Sequence, residues 1–113
     1  HEGLARALAE VLEETGDAAG ARRLYRELMD RCTARRTRVD PAVRERYAEL
    51  AFAAGDRDSA LLELYLTLAR DLPASAARSF ERAAAICDHQ GRASEAARFR
   101  ALASRAATPG SAG

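Results

Sequence analysis

Cys87, Asp88 and His89 are the residues of this sequence whose types most readily suggest chemistry, because thiolate, carboxylate and imidazole groups all bind transition metals. Their spacing argues against a metal site. Successive residues of a helix project about 100° apart, whereas two ligands on one helix face need i, i+4 spacing. Cys87 also falls on a core-facing position of the helical pattern. We therefore expect an ordinary helix end here, with no metal and no other cofactor.

Catalytic signatures that depend on short spacings are absent from the sequence. All eighteen basic residues are arginine, so the lysine that a phosphate-binding P-loop requires is missing. No GxSxG, HExxH or dinucleotide-binding glycine pattern occurs. Adjacent carboxylates such as Glu13 and Glu14 are common on a charged helix surface. We expect a protein without enzymatic activity.

Four arginines follow one another closely in the first third of the chain, at Arg31, Arg35, Arg36 and Arg38. Such a cluster could contact phosphate groups or an acidic partner. No aromatic side chain is interleaved for stacking on bases, and the net charge of the whole chain is only +1. We expect a solvated linker, with nucleic-acid binding as the less favoured alternative.

The composition favours an all-α fold. Hydrophobic residues make up 48% of the chain, but alanine, the strongest helix former, dominates them, and Ile86 is the sole isoleucine. Abundant arginine and alanine, without lysine or asparagine, are typical of a GC-rich bacterial genome.

No apolar run reaches the roughly 18 residues of a membrane span. Cys32 and Cys87 fit free thiols. We expect a cytoplasmic protein. Because the sequence begins at His1 rather than Met, we also expect it to be one domain of a larger chain.

Three glycines divide the chain into similar lengths. Gly16, Gly55 and Gly91 are 39 and 36 residues apart, and each lies between two helical patterns. Glycine suits the left-handed conformation just past a helix end. Asp17 and Asp56 follow the first two glycines and can cap the next helix.

Other helix start and stop signals give the remaining helix boundaries. One of them is an N-cap residue followed by proline, at Asp40-Pro41. The resulting prediction is six helices near 3–14, 17–32, 41–54, 57–71, 74–89 and 93–106. They form three hairpins, at about 3–32, 41–72 and 74–107, in one domain of residues 1–107. Residues 108–113 are expected to be a disordered tail.

The repeat is clearest when the hairpins are aligned on their glycines. The matching residues are Ala5, Leu8, Ala9, Leu12, Ala21 and Tyr25, then Arg44, Tyr47, Ala48, Ala51, Ala60, Leu64 and Pro73, then Phe80, Ala83, Ala84, Cys87, Ala96, Arg100 and Pro109. This pattern resembles tetratricopeptide repeats, whose signature of W-x2-L-G-x2-Y, A-x3-F and P spans about 34 residues. HEAT-like hairpins of about 40–47 residues are the alternative fold.

The resemblance implies an α-solenoid that holds another protein or peptide in a concave groove lined by the first helix of each hairpin. Carried over by position, the groove residues are Arg6, Glu10, Glu13, Ala42, Glu45, Glu49, Phe52, Arg78, Glu81, Ala85, Asp88 and His89. In this family, grooves that grip the acidic C-terminus of a partner use lysine, asparagine and arginine at these positions. Lysine and asparagine are absent from this sequence. We therefore expect an acidic groove for a basic or helical segment, with Phe52 as an apolar anchor.

Two alternatives stay open at this point. The predicted groove residues can simply form a soluble face, with the partner bound elsewhere. The chain can also be an accessory or ligand-sensing segment of a larger bacterial regulatory protein or enzyme.

Overall fold

Six α-helices make up most of residues 2–108, which are the part of the chain that the computed structural model describes. The helices are Glu2–Glu14 (α1), Ala18–Ala34 (α2), Pro41–Ala53 (α3), Ser59–Asp71 (α4), Ala76–His89 (α5) and Ala93–Ala106 (α6), with one turn of 3₁₀ helix at Pro73–Ser75. No strand occurs within these residues. The all-α prediction is confirmed, and every predicted helix end lies within two residues of the observed one. Apart from Thr108, the predicted tail 108–113 lies outside the described residues.

The three glycines that separate the predicted helices all adopt the left-handed conformation predicted for them. Their φ angles are 90° at Gly16, 103° at Gly55 and 74° at Gly91. A Cβ atom at any of the three would meet nothing within 4 Å. Glycine is therefore favoured at these positions by the backbone angle alone, because an L side chain in this region costs about 1–2 kcal/mol.

Aspartates cap three of the helices. Asp17 and Asp40 accept hydrogen bonds from amides in the first turns of α2 and α3, at 2.9 Å in both cases. The prediction that Asp56 caps α4 is wrong, because α4 begins at Ser59 and Asp58 occupies the capping position. Its carboxylate accepts a hydrogen bond of 2.9 Å from a first-turn amide, which satisfies one of the donors left open at a helix start.

The end of α2 departs from the glycine pattern. Arg36 has a φ of 56° and is the non-glycine residue with a positive φ in the described chain. The amide of Thr37 donates to the carbonyl of Cys32 at 2.9 Å, which is the hydrogen bond that closes a helix after a left-handed residue. Arginine thus occupies a position where glycine is the usual choice.

The described chain divides into two compact units, with the boundary between Ala54 and Gly55. The N-terminal unit contains α1, α2 and α3. Its core consists of the buried residues Ala9, Ala21, Tyr25, Leu28 and Val43. Long side chains on α1 and α3 close over this small core, and they form the candidate site described below.

The C-terminal unit contains α4, the 3₁₀ turn, α5 and α6. Its fully buried larger side chains include Tyr65, Leu68, Ile86 and Cys87. The rings of Phe80 and Phe99 stack with their centroids 6.3 Å apart. Cys87 therefore does occupy a packing position, as its place in the helical pattern indicates.

Small side chains fill much of both cores. Six alanines have no exposed surface at all: Ala9, Ala21, Ala48, Ala83, Ala84 and Ala96. Ala60 breaks the predicted equivalence with Ala21 and Ala96, because it is exposed in the first turn of α4. No helix within residues 2–108 combines the length and the apolar character that crossing a membrane requires.

Candidate interaction surface

Two ion pairs connect α1 with the start and the middle of α3. The Arg6 guanidinium donates to Oδ2 of Asp40 at 2.8 Å. About two turns further along the helices, Arg46 Nε donates to Oε2 of Glu13 at 3.2 Å, and a second Arg46 nitrogen contacts the other carboxylate oxygen. This two-point contact fixes the Glu13 carboxylate in one orientation.

A buried tyrosine completes the network around Glu13. The Tyr25 side chain is only 1% exposed, and its hydroxyl donates to Oε2 of Glu13 at 2.7 Å. Burial alone would raise the pKa of Glu13, but the hydrogen bonds from Arg46 and Tyr25 hold it below its ordinary value. Burial and the neighbouring Glu13 carboxylate raise the pKa of Tyr25 to about 12.

The capping carboxylate Asp40 is also stabilised in its charged form. The hydrogen bond from the Ala42 amide, followed by the one from Arg6, lowers the pKa of Asp40. The same side chain therefore starts α3 and anchors α1. Because both contacts need the ionised carboxylate, the junction between these helices depends on that charge.

These contacts border a shallow depression of about 310 Å³ on the N-terminal unit. The lining residues are Arg6, Glu10, Glu13, Glu14, Tyr25, Ala42, Glu45 and Arg46. We call this depression the acidic depression, because its four glutamates outnumber its two arginines and leave a net charge of −2.

The structure brings some of the predicted groove residues together. Arg6, Glu10, Glu13 and Glu45 line the acidic depression, together with Ala42. Glu49 and Phe52 lie on α3 but do not line it. The last group lies on α5 in the C-terminal unit, where Arg78, Glu81, Asp88 and His89 are exposed and Ala85 is half-buried.

Sequence reasoning missed two residues that shape the acidic depression. Arg46 stands next to the predicted Glu45, and Tyr25 fits the pattern of a purely apolar core position. A phenol among core positions is a signal that a polar partner is nearby, since buried hydroxyl groups are usually hydrogen-bonded. Nothing in the spacing indicates that the partner is Glu13, twelve residues earlier.

A second depression, of about 580 Å³, lies between α2 and α3 of the same unit. The Arg22 and Arg26 guanidinium carbons both lie 5.7 Å from the centre of the Tyr47 ring, and Arg26 donates to the Tyr47 hydroxyl at 3.0 Å. The remaining lining residues are Ala18, Ala19, Arg23, Glu27, Leu50, Ala53 and Ala54. We call it the arginine-rimmed depression.

The other sequence candidates fall at separate places. Arg31, Arg35, Arg36 and Arg38 are all exposed, at the end of α2 and in the loop that follows it. Cys87 is buried while Asp88 and His89 are exposed, and no group of three or more potential metal ligands is found among the described residues. Neither Cys32 nor Cys87 forms a disulfide.

Comparison with known protein families, with curated proteins and with solved structures finds no match to this chain. Function is therefore inferred from the geometry and charge of the described residues, together with the resemblance in the sequence.

Proposed function

We propose that this chain is a protein-interaction module of the tetratricopeptide-repeat type, and that it holds a basic segment of a partner protein in the acidic depression. The proposal is supported by the three-fold pattern of glycines and alanines in the sequence. The expectation that the partner segment is basic rests on one observation, the net charge of −2 on the residues that line the acidic depression. Opposite charge on the partner steers association and sets specificity.

The carboxylates of the acidic depression differ in what they can do. Glu13 is already engaged by Arg46 and Tyr25, so its role is to hold α1 against α3. Glu10 is only loosely paired, at 3.6 Å from Arg6, and its side chain is 56% exposed. Glu10 can therefore exchange Arg6 for a guanidinium or ammonium group of the partner at little cost.

The expected affinity is modest. Each exposed carboxylate contributes about 0.2–1 kcal/mol to an ion pair, so several of them give a weak and reversible contact. Dissolved salt strongly screens the attraction between such exposed charges, because the Debye length is only about 8 Å at physiological ionic strength. Binding should weaken steeply as salt is added.

A defined probe tests the proposal without knowledge of the natural partner. A helical peptide rich in arginine and leucine is titrated into the ¹⁵N-labelled chain, beside the same peptide with glutamate in place of arginine. The arginine peptide should shift amide resonances of α1 and α3, and the glutamate peptide should not. Resonance changes confined to α5 or α6, or equal shifts with both peptides, would refute the proposal.

Charge-reversal variants locate the contact. Glu10→Lys and Glu45→Lys should each weaken binding of the arginine peptide several-fold. Glu63→Lys provides the matched control, because Glu63 is an exposed glutamate on α4 that lies outside the acidic depression. Folded variants that bind as tightly as the control would contradict the assignment of this surface.

A further inference from the structure

An apolar ridge runs along the outer face of α1. Leu4 is 73% exposed, and Leu8 and Val11 are each 50% exposed. Their i, i+4 and i+7 spacing places all three on one stripe of the helix. The neighbouring stripe, about 100° around the helix, is occupied by Ala5, Ala9 and Leu12 and packs into the core. The apolar face of α1 is therefore wider than the part that packs into the core, and the ridge is the part left exposed.

The ridge is unusual because it is continuous. Single exposed aliphatic side chains are normal on a soluble protein, whereas a contiguous apolar patch marks an interaction site. Leu4, Leu8 and Val11 are the exposed large hydrophobic residues of the described chain. They are concentrated on one helix rather than scattered over both units.

The arginine-rimmed depression is complementary to the ridge in apolar character, and its charge is opposite to that of a carboxylate. Its lining is mostly apolar and includes Tyr47, Leu50 and four alanines, and its volume of about 580 Å³ lies within the range of ligand-binding clefts. Three arginines and one glutamate line it, which leaves a net charge of +2. An occupant with aliphatic side chains and a carboxylate matches both properties.

We propose that the chain associates head to tail with further copies of itself, with the ridge of one copy seated in the arginine-rimmed depression of the next. Helix α1 supplies the three aliphatic side chains and, one turn after Val11, the exposed carboxylate of Glu14. Arg23 supplies an exposed guanidinium at the depression. Within the described residues neither Glu14 nor Arg23 has an ion pair or hydrogen bond of its side chain, so each is available to the other across the contact.

This contact uses two different surfaces of the same molecule. Such heterologous contacts do not close on themselves as a two-fold dimer does, and they produce open chains or rings. Association should therefore progress beyond the dimer as concentration rises. This contact and the acidic depression overlap only at Glu14, which none of the variants used to test either proposal changes, so the two proposals can fail separately.

Sedimentation velocity over micromolar to millimolar concentrations tests the association, using the whole 113-residue chain. The wild type should show a sedimentation coefficient that rises continuously with concentration. The ridge variant, Leu4→Gln with Leu8→Gln, and the depression variant, Ala19→Glu, should each remain monomeric. Ala101→Glu is the matched control at an exposed alanine on α6, and it should behave as the wild type does.

Mixing the two variants gives the decisive result. The ridge variant keeps an intact depression and the depression variant keeps an intact ridge, so an equimolar mixture should form a one-to-one dimer and nothing larger. Circular dichroism of each variant establishes that it is folded. A wild type that stays monomeric at millimolar concentration, a depression variant that still dimerises, or a mixture that fails to associate would overturn the proposal.

Discussion

Replacing Tyr25 by phenylalanine removes one oxygen from the core of the N-terminal unit and tests the network around Glu13. The hydroxyl lost is buried and donates to a carboxylate at 2.7 Å. A hydrogen bond to a charged group contributes about 1.5–3 kcal/mol to stability. The free energy of unfolding of Tyr25→Phe should therefore fall by about that amount at neutral pH, while the aromatic packing is retained.

The pKa of Tyr25 gives a second measure, which reports the burial of the phenol together with its contact to Glu13. Burial and Glu13 raise it from 10.0 to about 12, so the folded state keeps a proton that the unfolded state releases above pH 10. The stabilisation is complete below pH 10 and is lost as the pH rises through 12. At about 1.36 kcal/mol per unit, the loss is on the order of 1 kcal/mol by pH 11 and about 2–3 kcal/mol above pH 12.

Urea unfolding followed by circular dichroism at a series of pH values measures this loss. The wild type should lose stability between pH 9 and pH 11 faster than Tyr25→Phe does, and the other titrating groups cancel in the difference. Absorbance titration of the phenolates should show one more late-ionising tyrosine in the wild type than in Tyr25→Phe. Parallel stability profiles for the two proteins would refute the account of Glu13, Tyr25 and Arg46 as one coupled network.

Four further changes test the helix ends, the core and the thiols. Gly16→Ala should cost about 1–2 kcal/mol in urea unfolding, because the left-handed angle is unfavourable for alanine although its Cβ meets no atom. Arg36→Gly should instead stabilise the chain, by up to about 1 kcal/mol in the same assay, and an unchanged midpoint would contradict this. Ala84→Leu should lower the free energy of unfolding by about 1–3 kcal/mol or more, since Ala84 is fully buried. Burial raises the pKa of the Cys87 thiol, so in native protein Ellman's reagent should modify Cys32 and reach Cys87 only after urea is added; equal native rates would contradict this.

The helices were predictable because their signals are local. Glycine at a left-handed position, aspartate before a first turn and proline after Asp40 act within a few residues of where they occur. Asp56 shows the limit of this reasoning, since Asp58 is an equally good cap and the choice depends on where α4 begins to pack. Arg36 shows a second limit, because sequence patterns gave no reason to expect a left-handed arginine.

The candidate site was only partly predictable. The family resemblance, carried over by position, named Glu10, Glu13 and Glu45, and all three line the acidic depression. Spacing cannot show which long side chains meet across helices, so the pairing of Glu13 with Arg46, 33 residues away, stayed hidden. Tyr47 was assigned to a packing position, and its contacts with two arginines of α2 depend on how α2 and α3 approach each other.

The fully buried alanines have a consequence for how this protein can change over generations. Ala21 and Ala96 have no exposed surface, so a larger residue there crowds a facing helix unless a smaller residue is introduced on that helix at the same time. Glycine is the one smaller replacement, and it weakens a helix by about 1 kcal/mol. Substitutions at these positions should therefore be inherited in compensating pairs, and single exchanges should be confined to the helix surfaces.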